Sequence, residues 1–391
     1  MSFGIRRLLL LIFSYIKFLY FFPSAIFVQE TTKQHKAKSL LIVKLDEIGD
    51  YILFRNLLKY FKSEPKYADY NLSLCGNIEW KNIFDFLDNE NIDSVIWIAK
   101  RKFSKNLFYR IKTLTILAGN KYDVIINCSL SRNYFIDDEI VKTLEADSKI
   151  GSVTDLSNQF NWQKKISDKY YSELISISNE YVFEFQRNKI FVSKILGTKI
   201  SEKIPSINKT NITQSDLINK KYVAFSLGGK NIYKIWDTRN FIAVANHIKN
   251  KYKLDLVLLG AKADEKYSKE FEKYFEDKNV FNFVSKTTLV EALNILSNAD
   301  IFISNDSGLA HIAAALNTKV IVVANGTHLG RFFPYPEAAM SIKTIYPPQI
   351  QNEISAKSTL QNTYKYRSRL KINDISHQAV IDYVDQMLGN C

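Results

Sequence analysis

The sequence ADIFISNDSGLAHIAAAL, residues 299–316, decides the fold of the second half of the chain. The short apolar run at 301–304 is typical of a buried parallel strand, and 309–316 carries the small apolar residues of a helix packed on a sheet. Between them, residues 305–308 predict a tight polar turn where the strand ends. A strand, a turn and a helix in this order predict an α/β domain.

The turn itself has two possible roles. The first turn of a helix leaves backbone N–H groups without helical partners, and these groups, with the helix dipole, attract an anion. Ser307 can add a hydroxyl hydrogen bond, and Gly308 would let a phosphate group approach the backbone. The same residues also fit a simple N-cap, in which Asp306 and Ser307 serve only the helix. Alone, the motif is compatible with both interpretations.

Strand and helix patterns alternate on both sides of this motif. In the second half, strands are predicted at 222–227, 254–259 and 320–324, and helices at 241–249 and 289–297. In the first half, strands are predicted at 39–45, 70–75, 94–98 and 123–128, and helices at 51–61, 78–87, 105–117 and 170–196, the last ending at Gly197. This alternation predicts mostly parallel sheets.

A polar stretch at 202–220, which contains Pro205 and lacks periodicity, is the best linker candidate. We therefore expect two Rossmann-like, doubly wound domains facing a cleft, over residues 38–204 and 205–346. A hydrophobic segment, 1–37, precedes them, and an extension with a helix, 347–391, follows. That C-terminal helix is expected to pack back on the first domain.

Residues 6–27 are strongly apolar and aromatic. At 100° per residue, the polar residues fall within one arc of about 100°: Arg6, Arg7, Ser14, Lys17 and Ser24. A narrow basic stripe on a broadly apolar helix suits the plane of an anionic membrane face. A spanning helix is the second interpretation, because the length suffices although Lys17 lies near the middle. A helix packed on the protein core is the third. A signal peptide would fit Arg6, Arg7 and the apolar run after them, but no clean small-residue cleavage site follows.

The chain of 391 residues carries a formal net charge of +13. Nucleic acid, anionic lipid and phosphorylated glycans are all possible anionic partners. No nucleic-acid module is visible, and richness in Lys and Asn is also what an AT-biased genome produces. The three cysteines, Cys75, Cys128 and Cys391, show no paired spacing, so we expect neither a disulfide framework nor a zinc site. A reducing compartment is the expected environment.

Several motifs, in order along the chain, resemble glycosyltransferase family 9, the bacterial heptosyltransferase family. Residues 45–50 (LDEIGD) are similar to its Leu-Asp-x-Ile-Gly-Asp loop, and 305–311 (NDSGLAH) to its Ser/Asn-Asp-Thr/Ser-Gly-x-x-His turn. Weaker similarities lie at 121–127, 149–151, 226–229, 234–236 and 260–265. Asp237 departs from the usual Pro, Ser307 from the commoner Thr, and 325–328 from a Gly-Pro-Thr turn, which weakens any inference about the donor sugar.

The resemblance implies the GT-B fold and an inverting glycosyltransferase. It implies transfer of heptose from ADP-heptose to a lipopolysaccharide core or related surface glycan, at the cytoplasmic face of the inner membrane, by a peripheral or monotopic enzyme without a nucleic-acid partner. Two alternatives stay open. One is a transferase of the same fold that uses another nucleotide sugar in surface-polysaccharide synthesis, and the other is a non-catalytic nucleotide- or glycan-binding relative.

Two residues are predicted to be catalytic. Asp50 follows the first strand, at the sheet edge where open α/β sheets bind ligands, and the resemblance implies that it is the general base. Asp46 is the rival carboxylate, and capping of the next helix is the alternative for both. Lys234 is the candidate cation for the leaving diphosphate, although a solvated surface lysine is the alternative.

The resemblance also implies binding residues. The predicted donor site contains Ser226, Gly228, Gly229, Lys234, Glu265, Asp306, Ser307, Gly308, Leu309 and His311. Glu265 would hold the ribose, and His311 is more typical of a core histidine than of a catalytic one. The acceptor-side candidates are Asp46, Ser131 and Arg132. No cluster has metal-ligand spacing, so we expect no metal and no cofactor besides the nucleotide-sugar substrate.

Overall fold

A computed structural model describes residues 3–28, 34–35, 38–177, 182–209, 212, 220–277, 280–339, 341–353 and 363–389. At 3–7, 25–26 and 34–35 it describes the backbone alone. All structural statements below concern these residues.

Thirteen strands are present in the described residues. In the first half they are β1 (Gln34–His35), β2 (Ser39–Lys44), β3 (Asn71–Asn77), β4 (Ser94–Ile98), β5 (Asn120–Asn127), β6 (Glu145–Ser152) and β7 (Glu173–Ile175). In the second half they are β8 (Tyr222–Ser226), β9 (Asp255–Leu258), β10 (Val280–Asn282), β11 (Ile301–Asn305), β12 (Val320–Val323) and β13 (Ile342–Ile345).

Fifteen α-helices alternate with these strands in the described residues. The first nine are α1 (Phe3–Phe27), α2 (Ile48–Ile52), α3 (Leu58–Ser63), α4 (Lys81–Leu87), α5 (Lys100–Phe103), α6 (Leu107–Ala118), α7 (Asp137–Thr143), α8 (Asn161–Ser167) and α9 (Glu184–Leu196). The others are α10 (Thr238–Tyr252), α11 (Glu265–Tyr274), α12 (Leu289–Asn298), α13 (Gly308–Ala315), α14 (Pro348–Gln351) and α15 (His377–Leu388).

The strands form two parallel sheets with the same topology. The first sheet has the order β4-β3-β2-β5-β6-β7, with β1 also pairing β5, and the second has the order β10-β9-β8-β11-β12-β13. Both correspond to the doubly wound order 3-2-1-4-5-6, which reverses direction at one switch point. Four strands of the second sheet, β8, β9, β11 and β12, are buried at every position, as expected when helices cover both faces. The prediction of two parallel α/β domains is confirmed.

The chain divides into two compact units. The first comprises Met1–Glu47, Leu57–Ser178 and Arg187–Ile200, and the second comprises Ile48–Asn56, Asn179–Gln186 and Ser201–Cys391. Helix α2, although it follows the first strand of the first sheet in sequence, therefore belongs to the second unit. The boundaries predicted from sequence, with the change of domain at 204/205, stay a prediction.

Two helix predictions were wrong. Residues 170–196 contain the strand β7, which pairs with β6 through Ile150↔Glu173, and helix α9 begins only at Glu184. A short, half-apolar run is compatible with either a helix or a strand in sequence. Here it forms a strand because it pairs with the edge of β6. The C-terminal helix α15 packs in the core of the second unit, where Val380 and Val384 are fully buried, rather than on the first domain. Gly197, with φ of +72°, does end α9 as predicted.

Helix α1 packs on the first unit through its polar side, which defines its inner face: Ser14, Lys17, Phe18, Phe21 and Ser24. Ser24 is fully buried and its hydroxyl accepts a hydrogen bond from Arg110 Nε at 3.3 Å. The Lys17 ammonium lies 4.7 Å from the centre of the Phe135 ring, and burial, with the charges of Arg110 and Lys105, lowers its pKa to about 8. The described polar residues of this stripe, Ser14, Lys17 and Ser24, therefore face the protein. The prediction that the polar stripe faces a membrane was wrong for these three residues. No helix among the described residues is both long and apolar enough to cross a membrane.

Candidate functional site

The turns after β8 and β11 begin the candidate site of the second unit. These two strands are neighbours at the switch point of the sheet, where the loops leaving adjacent strands diverge and open α/β folds bind ligands. Ser226 ends β8 and is buried, and the Gly228–Gly229 loop follows it. Asn305 ends β11 and leads into Asp306, Ser307 and α13.

Asn305 connects both sides of this switch point. Its side chain is fully buried, and its amide nitrogen donates to Leu227 O at 2.9 Å and to Gly228 O at 3.0 Å. Its amide oxygen accepts from Trp236 N at 3.0 Å. One side chain therefore holds the glycine loop and the Lys234–Trp236 segment against the end of β11. The sequence motif marked Asn305 but did not reveal this bridging role.

Lys234 and Asp306 meet across the switch point. The Lys234 ammonium lies 2.6 Å from Asp306 Oδ2, and both side chains remain about one-seventh exposed, at 14% and 13%. Since neither residue is sealed in the core, an anion that reaches this place would meet the ammonium directly. The surface-lysine interpretation of Lys234 is wrong, because the side chain is largely buried and ion-paired.

Two residues near this pair cap helices. Ser307 is the N-cap of α13, and its hydroxyl accepts from Ala310 N at 3.4 Å. Asp237, which replaces a proline common in the family that the sequence resembles, is the N-cap of α10 and accepts from Arg239 N at 2.9 Å. An aspartate at this position therefore satisfies the helix start by capping rather than by the preset φ of proline.

Helix α2 packs directly on the start of α13. A Cβ on Gly308 would lie 3.4 Å from Gly49 N and from Ile48 Cβ, and a Cβ on Gly49 would lie 2.8 Å from His311 Cδ2. The missing side chain of Gly308 therefore admits the backbone of α2, in addition to any phosphate predicted there. This contact places Asp50, on α2, in the same unit as the Asn305–Gly308 turn.

His311 supports this contact from the protein interior. Its ring is buried and stacks on Phe333, with 4.7 Å between ring centres, and Nδ1 lies 2.8 Å from the Tyr335 hydroxyl. Burial, with the positive charge of Lys234, lowers the pKa of His311 to about 4, so the ring is neutral near pH 7. This environment fits the core histidine expected from sequence.

The loop after β9 closes on the glycine loop. A Cβ on Gly228 would lie 1.8 Å from Asp264 Oδ1, so the position has no room for a side chain. The other oxygen, Oδ2, accepts from Ala261 N at 2.9 Å. Glu265, the predicted ribose ligand, begins α11 and is 39% exposed. Asp264 was not a predicted site residue, although the 260–265 motif contains it, and its position beside Gly228 now identifies it.

The first unit has a charged cluster at its own switch point, between β2 and β5. Lys44 is buried, donates to Cys128 O at 3.0 Å and lies 2.7 Å from Asp46 Oδ2. Burial alone would raise the pKa of Asp46, but the charges of Lys44 and Lys100 outweigh it and leave that pKa below its usual value. Asp46 is thus an ionised carboxylate at the ligand-binding edge of the first sheet.

Arg132, predicted on the acceptor side, has a structural role instead. Its side chain is fully buried, ion-paired with Asp138 at 3.1 Å and with Asp168, and stacked 4.4 Å above the Tyr171 ring. These contacts hold the guanidinium inside the first unit with no exposed surface, so the predicted acceptor contact is corrected. Ser131 is buried and donates to Asp155 Oδ2 at 3.0 Å.

Asp137 lies close to this cluster, at the start of α7. Its carboxylate accepts from Asn127 Nδ2 at 3.2 Å and from Asn133 N at 3.0 Å. Burial, followed by the charges of Asp138 and Asp46, raises the pKa of Asp137 to about 7. Over the described part of the chain, no group of three or more His, Cys, Asp and Glu side chains could hold a metal ion.

Two doubly wound parallel domains, each with polar residues at its switch point, are the architecture of the GT-B fold. The chain matches the family profile described as "Glycosyltransferase family 9 (heptosyltransferase)" over residues 112–362. This chain therefore belongs to glycosyltransferase family 9 and is a glycosyltransferase.

Individual relatives agree with this membership. The chain is 25% identical to a lipopolysaccharide heptosyltransferase 3 of Escherichia coli over 251 residues, which is 61% of this chain and 71% of the relative. Among solved structures, it is similar to a family 9 glycosyl transferase of Veillonella parvula (TM-score 0.67, 16% identity, 93% and 100% of the two chains). It is also similar to the E. coli heptosyltransferase WaaC with ADP (TM-score 0.66, 17% identity, 89% and 99%).

Proposed function

We propose that this enzyme transfers heptose from ADP-heptose, with inversion, to a lipopolysaccharide core or related surface glycan. The observation that carries the proposal is the arrangement within the second unit: the Lys234–Asp306 pair lies at the capped start of α13, on which α2 with Asp50 packs. Relatives named as lipopolysaccharide heptosyltransferases, and a similar structure with ADP, support the choice of substrates.

In this proposal Asp50 is the general base. It removes the proton of the acceptor hydroxyl as the new bond forms at the anomeric carbon and the bond to the diphosphate breaks. Inversion requires a base on the face opposite the leaving group, by analogy with inverting glycosidases. A positioned base contributes about 10²–10⁴ in rate. The carboxylate of Asp50 takes the proton, and the nucleoside diphosphate leaves with the electron pair.

The leaving diphosphate is assigned to the start of α13. Lys234 would neutralise the charge that develops on it, and Asp306 holds the ammonium in place at 2.6 Å. Backbone N–H groups at Ser307, Gly308 and Leu309 would add hydrogen bonds, helped by the helix dipole. One such preorganised donor contributes about 2.7–4 kcal/mol in comparable sites. His311 supports this arrangement through its packing.

The remaining site residues have supporting roles in the proposal. Glu265 would bind the ribose, and the Ser226–Gly229 loop would lie along the nucleotide. Asp46 and Ser131 remain acceptor-side candidates, whereas Arg132 does not, because it is buried in structural ion pairs. The proposed location is the cytoplasmic face of the inner membrane, where a lipid-linked acceptor would be presented to a basic enzyme.

A thermal-shift panel of ADP, UDP, GDP and CDP tests the donor. We expect ADP to raise Tm most, since a ligand that binds the native state stabilises it by RT ln(1 + [L]/Kd). Lys234→Gln should abolish most of that shift, whereas Lys273→Gln, on the exposed part of α11, should not. A preference for UDP would instead favour another nucleotide sugar. A shift without any transfer would favour the non-catalytic alternative. Loss of transfer with EDTA would contradict the expected independence of metal.

A further inference from the structure

The outer face of α1 is apolar and exposed. Eleven large side chains are between 46% and 69% exposed: Leu8, Leu9, Leu10, Ile12, Phe13, Tyr15, Ile16, Leu19, Tyr20, Phe22 and Phe27. An exposed apolar surface much larger than a few hundred Å² marks an interaction site. At 1.5 Å per residue, the 25 residues of α1 extend about 37 Å.

This face is fixed to the first unit rather than attached by a free helix. Arg110 of α6 donates to Ser24 Oγ and to Phe135 O, and its guanidinium lies 4.3 Å from the centre of the Phe21 ring. Tyr15 stacks on Trp162 with 4.7 Å between ring centres. Because the inner face packs against the protein, the outer face is held outward along the surface of the unit.

Helix α6, which contacts α1, contributes exposed apolar and basic groups. Phe108 is 84% exposed and Ile116 is 56% exposed, and with Lys112 they share one side of the helix at spacings of four residues. Residues 94–122 and residues 1–29 contain no Asp or Glu. Of the seven Lys and Arg in 94–122, Arg110 is buried and Lys100 and Lys121 pair with Glu47 and Asp147. The exposed cations of this stretch that remain are Arg101, Lys102, Lys105 and Lys112. The α1–α6 surface is therefore apolar and basic without carboxylates of its own.

A basic hollow lies in the same part of the first unit. It has a volume of about 410 Å³, and its lining includes Arg101, Lys102 and Lys105, together with Glu79. The three cations are exposed. A second, like-charged copy of the chain would oppose these cations with its own, whereas anionic lipid headgroups would neutralise them.

We propose that the outer face of α1, with Phe108 and Ile116, docks in the plane of an anionic lipid bilayer while Arg101, Lys102 and Lys105 bind lipid phosphates. The helix then lies at the boundary between headgroups and acyl chains, as amphipathic interfacial helices do. This inference deepens the proposed function, because a lipid-linked acceptor would be presented at the same surface. It identifies the residues that enter the membrane.

Co-sedimentation of the full chain with vesicles tests the apolar contact. We expect binding to phosphatidylglycerol-rich vesicles and much weaker binding to phosphatidylcholine vesicles. Ile16→Glu with Leu19→Glu should lower partitioning about tenfold or more, while Tyr274→Glu, an equally exposed aromatic of the second unit, should leave it unchanged. Equal binding of the double variant and the unchanged chain would overturn the proposal.

Charge-neutralising variants test the basic contact. Each removed cation should weaken partitioning roughly fivefold at low salt, so Lys102→Gln with Lys105→Gln should lose about 25-fold. The matched control, Lys266→Gln with Lys273→Gln, lowers the net charge equally on α11 and should lose little. Equal losses in both pairs would show that net charge alone attracts the protein, which contradicts a specific docking surface.

Measurements on the soluble protein separate this inference from the proposed function and from self-association. The Ile16→Glu/Leu19→Glu variant should keep its Tm, its ADP-induced shift and its transfer to a soluble, delipidated acceptor. Failure of transfer by the unchanged chain would count against the proposed function and leave vesicle binding as evidence for docking. Light scattering that shows a dimer, lost in the double variant, would assign the outer face of α1 to a second copy and overturn the membrane proposal.

Discussion

Single side chains in the second unit combine structural and proposed catalytic roles. Asn305 is buried and bonds three backbone groups, whereas Lys234 and Asp306 stay partly exposed beside it. A rigid amide thus lies under an accessible ion pair, which is how a preorganised site avoids moving its charges during reaction.

Asp50→Asn tests the proposed general base. The amide is nearly isosteric but cannot accept a proton, so kcat should fall by about 10²–10⁴. Donor binding should survive, and the ADP-induced thermal shift measures it. Asp46→Asn is the control on the same loop, and a larger loss there would move the role of general base to Asp46.

Asn305→Ala tests the bridge between the two turns. It leaves Leu227 O, Gly228 O and Trp236 N without their partner, and each unsatisfied buried group costs about 1–3 kcal/mol. We expect a lower Tm and a higher KM for the donor, with a smaller effect on kcat. Asn282→Ala, at another strand end of the same sheet, loses one backbone contact, to Val284 N, and should leave the KM for the donor unchanged. Unchanged donor KM in a folded Asn305→Ala enzyme would contradict the positioning role.

Asp137→Asn tests the raised pKa in the first unit. Because the folded state holds the proton up to about pH 7, the unfolded chain releases it first, and the free energy of unfolding falls as pH rises from about 4 towards 7. The amide does not titrate, so the variant should gain much more stability relative to the parent at pH 8 than at pH 5. Urea unfolding measures this difference, with exposed Asp147→Asn as control. Equal gains at both pH values would contradict the shift.

At the scale of elements, the contact between α2 and α13 determines where Asp50 lies. Two glycines allow it: Gly308 admits the α2 backbone, and Gly49 admits the His311 ring. Glycine is not needed for its backbone freedom at these positions, since neither has a positive φ. The requirement is space at Gly49, whereas a Cβ on Gly308 would make a close but ordinary van der Waals contact at 3.4 Å.

Gly49→Ala should disturb this contact. The new methyl group would lie 2.8 Å from His311 Cδ2, and overpacking of this kind costs about 1–3 kcal/mol. We expect lower Tm and reduced kcat, both partly restored by adding His311→Ala, which makes room. Gly229→Ala, whose Cβ would have its nearest neighbour at 3.6 Å, is the stability control. If the second substitution restored nothing, the clash would not be the cause.

At the scale of the whole molecule, the division into two units does not follow the order of segments along the chain. Residues 48–56 lie between β2 and α3 in sequence, yet they pack with the second unit. A stretch of the N-terminal half therefore completes the candidate site built on the second sheet. The polypeptide is shared between two domains, so the proposed donor site and its proposed base need not lie close in sequence.

Hydrogen exchange should reveal this sharing. On addition of ADP, peptides from 48–52 and 305–311 should both gain protection, because ligand binding suppresses local opening of the elements it contacts. Strands β2 and β3 of the first unit should exchange as before. Protection that rises in β2 and β3 but not in α2 would contradict the assignment of α2 to the ligand-responsive unit.

Sequence alone determined the strands and turns that a short stretch of residues is enough to predict. The apolar runs of β2, β8 and β11 and the polar turns after them predicted two parallel α/β domains, and short ordered motifs pointed to the family. The same local patterns misassigned 173–175, because pairing of β7 with the edge of β6 is a long-range choice that no short window contains.

Tertiary structure decided which predicted residues share an environment. It brought Asp50 to the Asn305–Gly308 turn through two glycine contacts, and it buried Arg132 among Asp138, Asp168 and Tyr171. It also turned the described polar stripe of α1 towards Arg110 and its apolar face outward. The physical reason is common to all three: side-chain type is a local property, whereas burial and charge partners depend on which distant segments pack against each other.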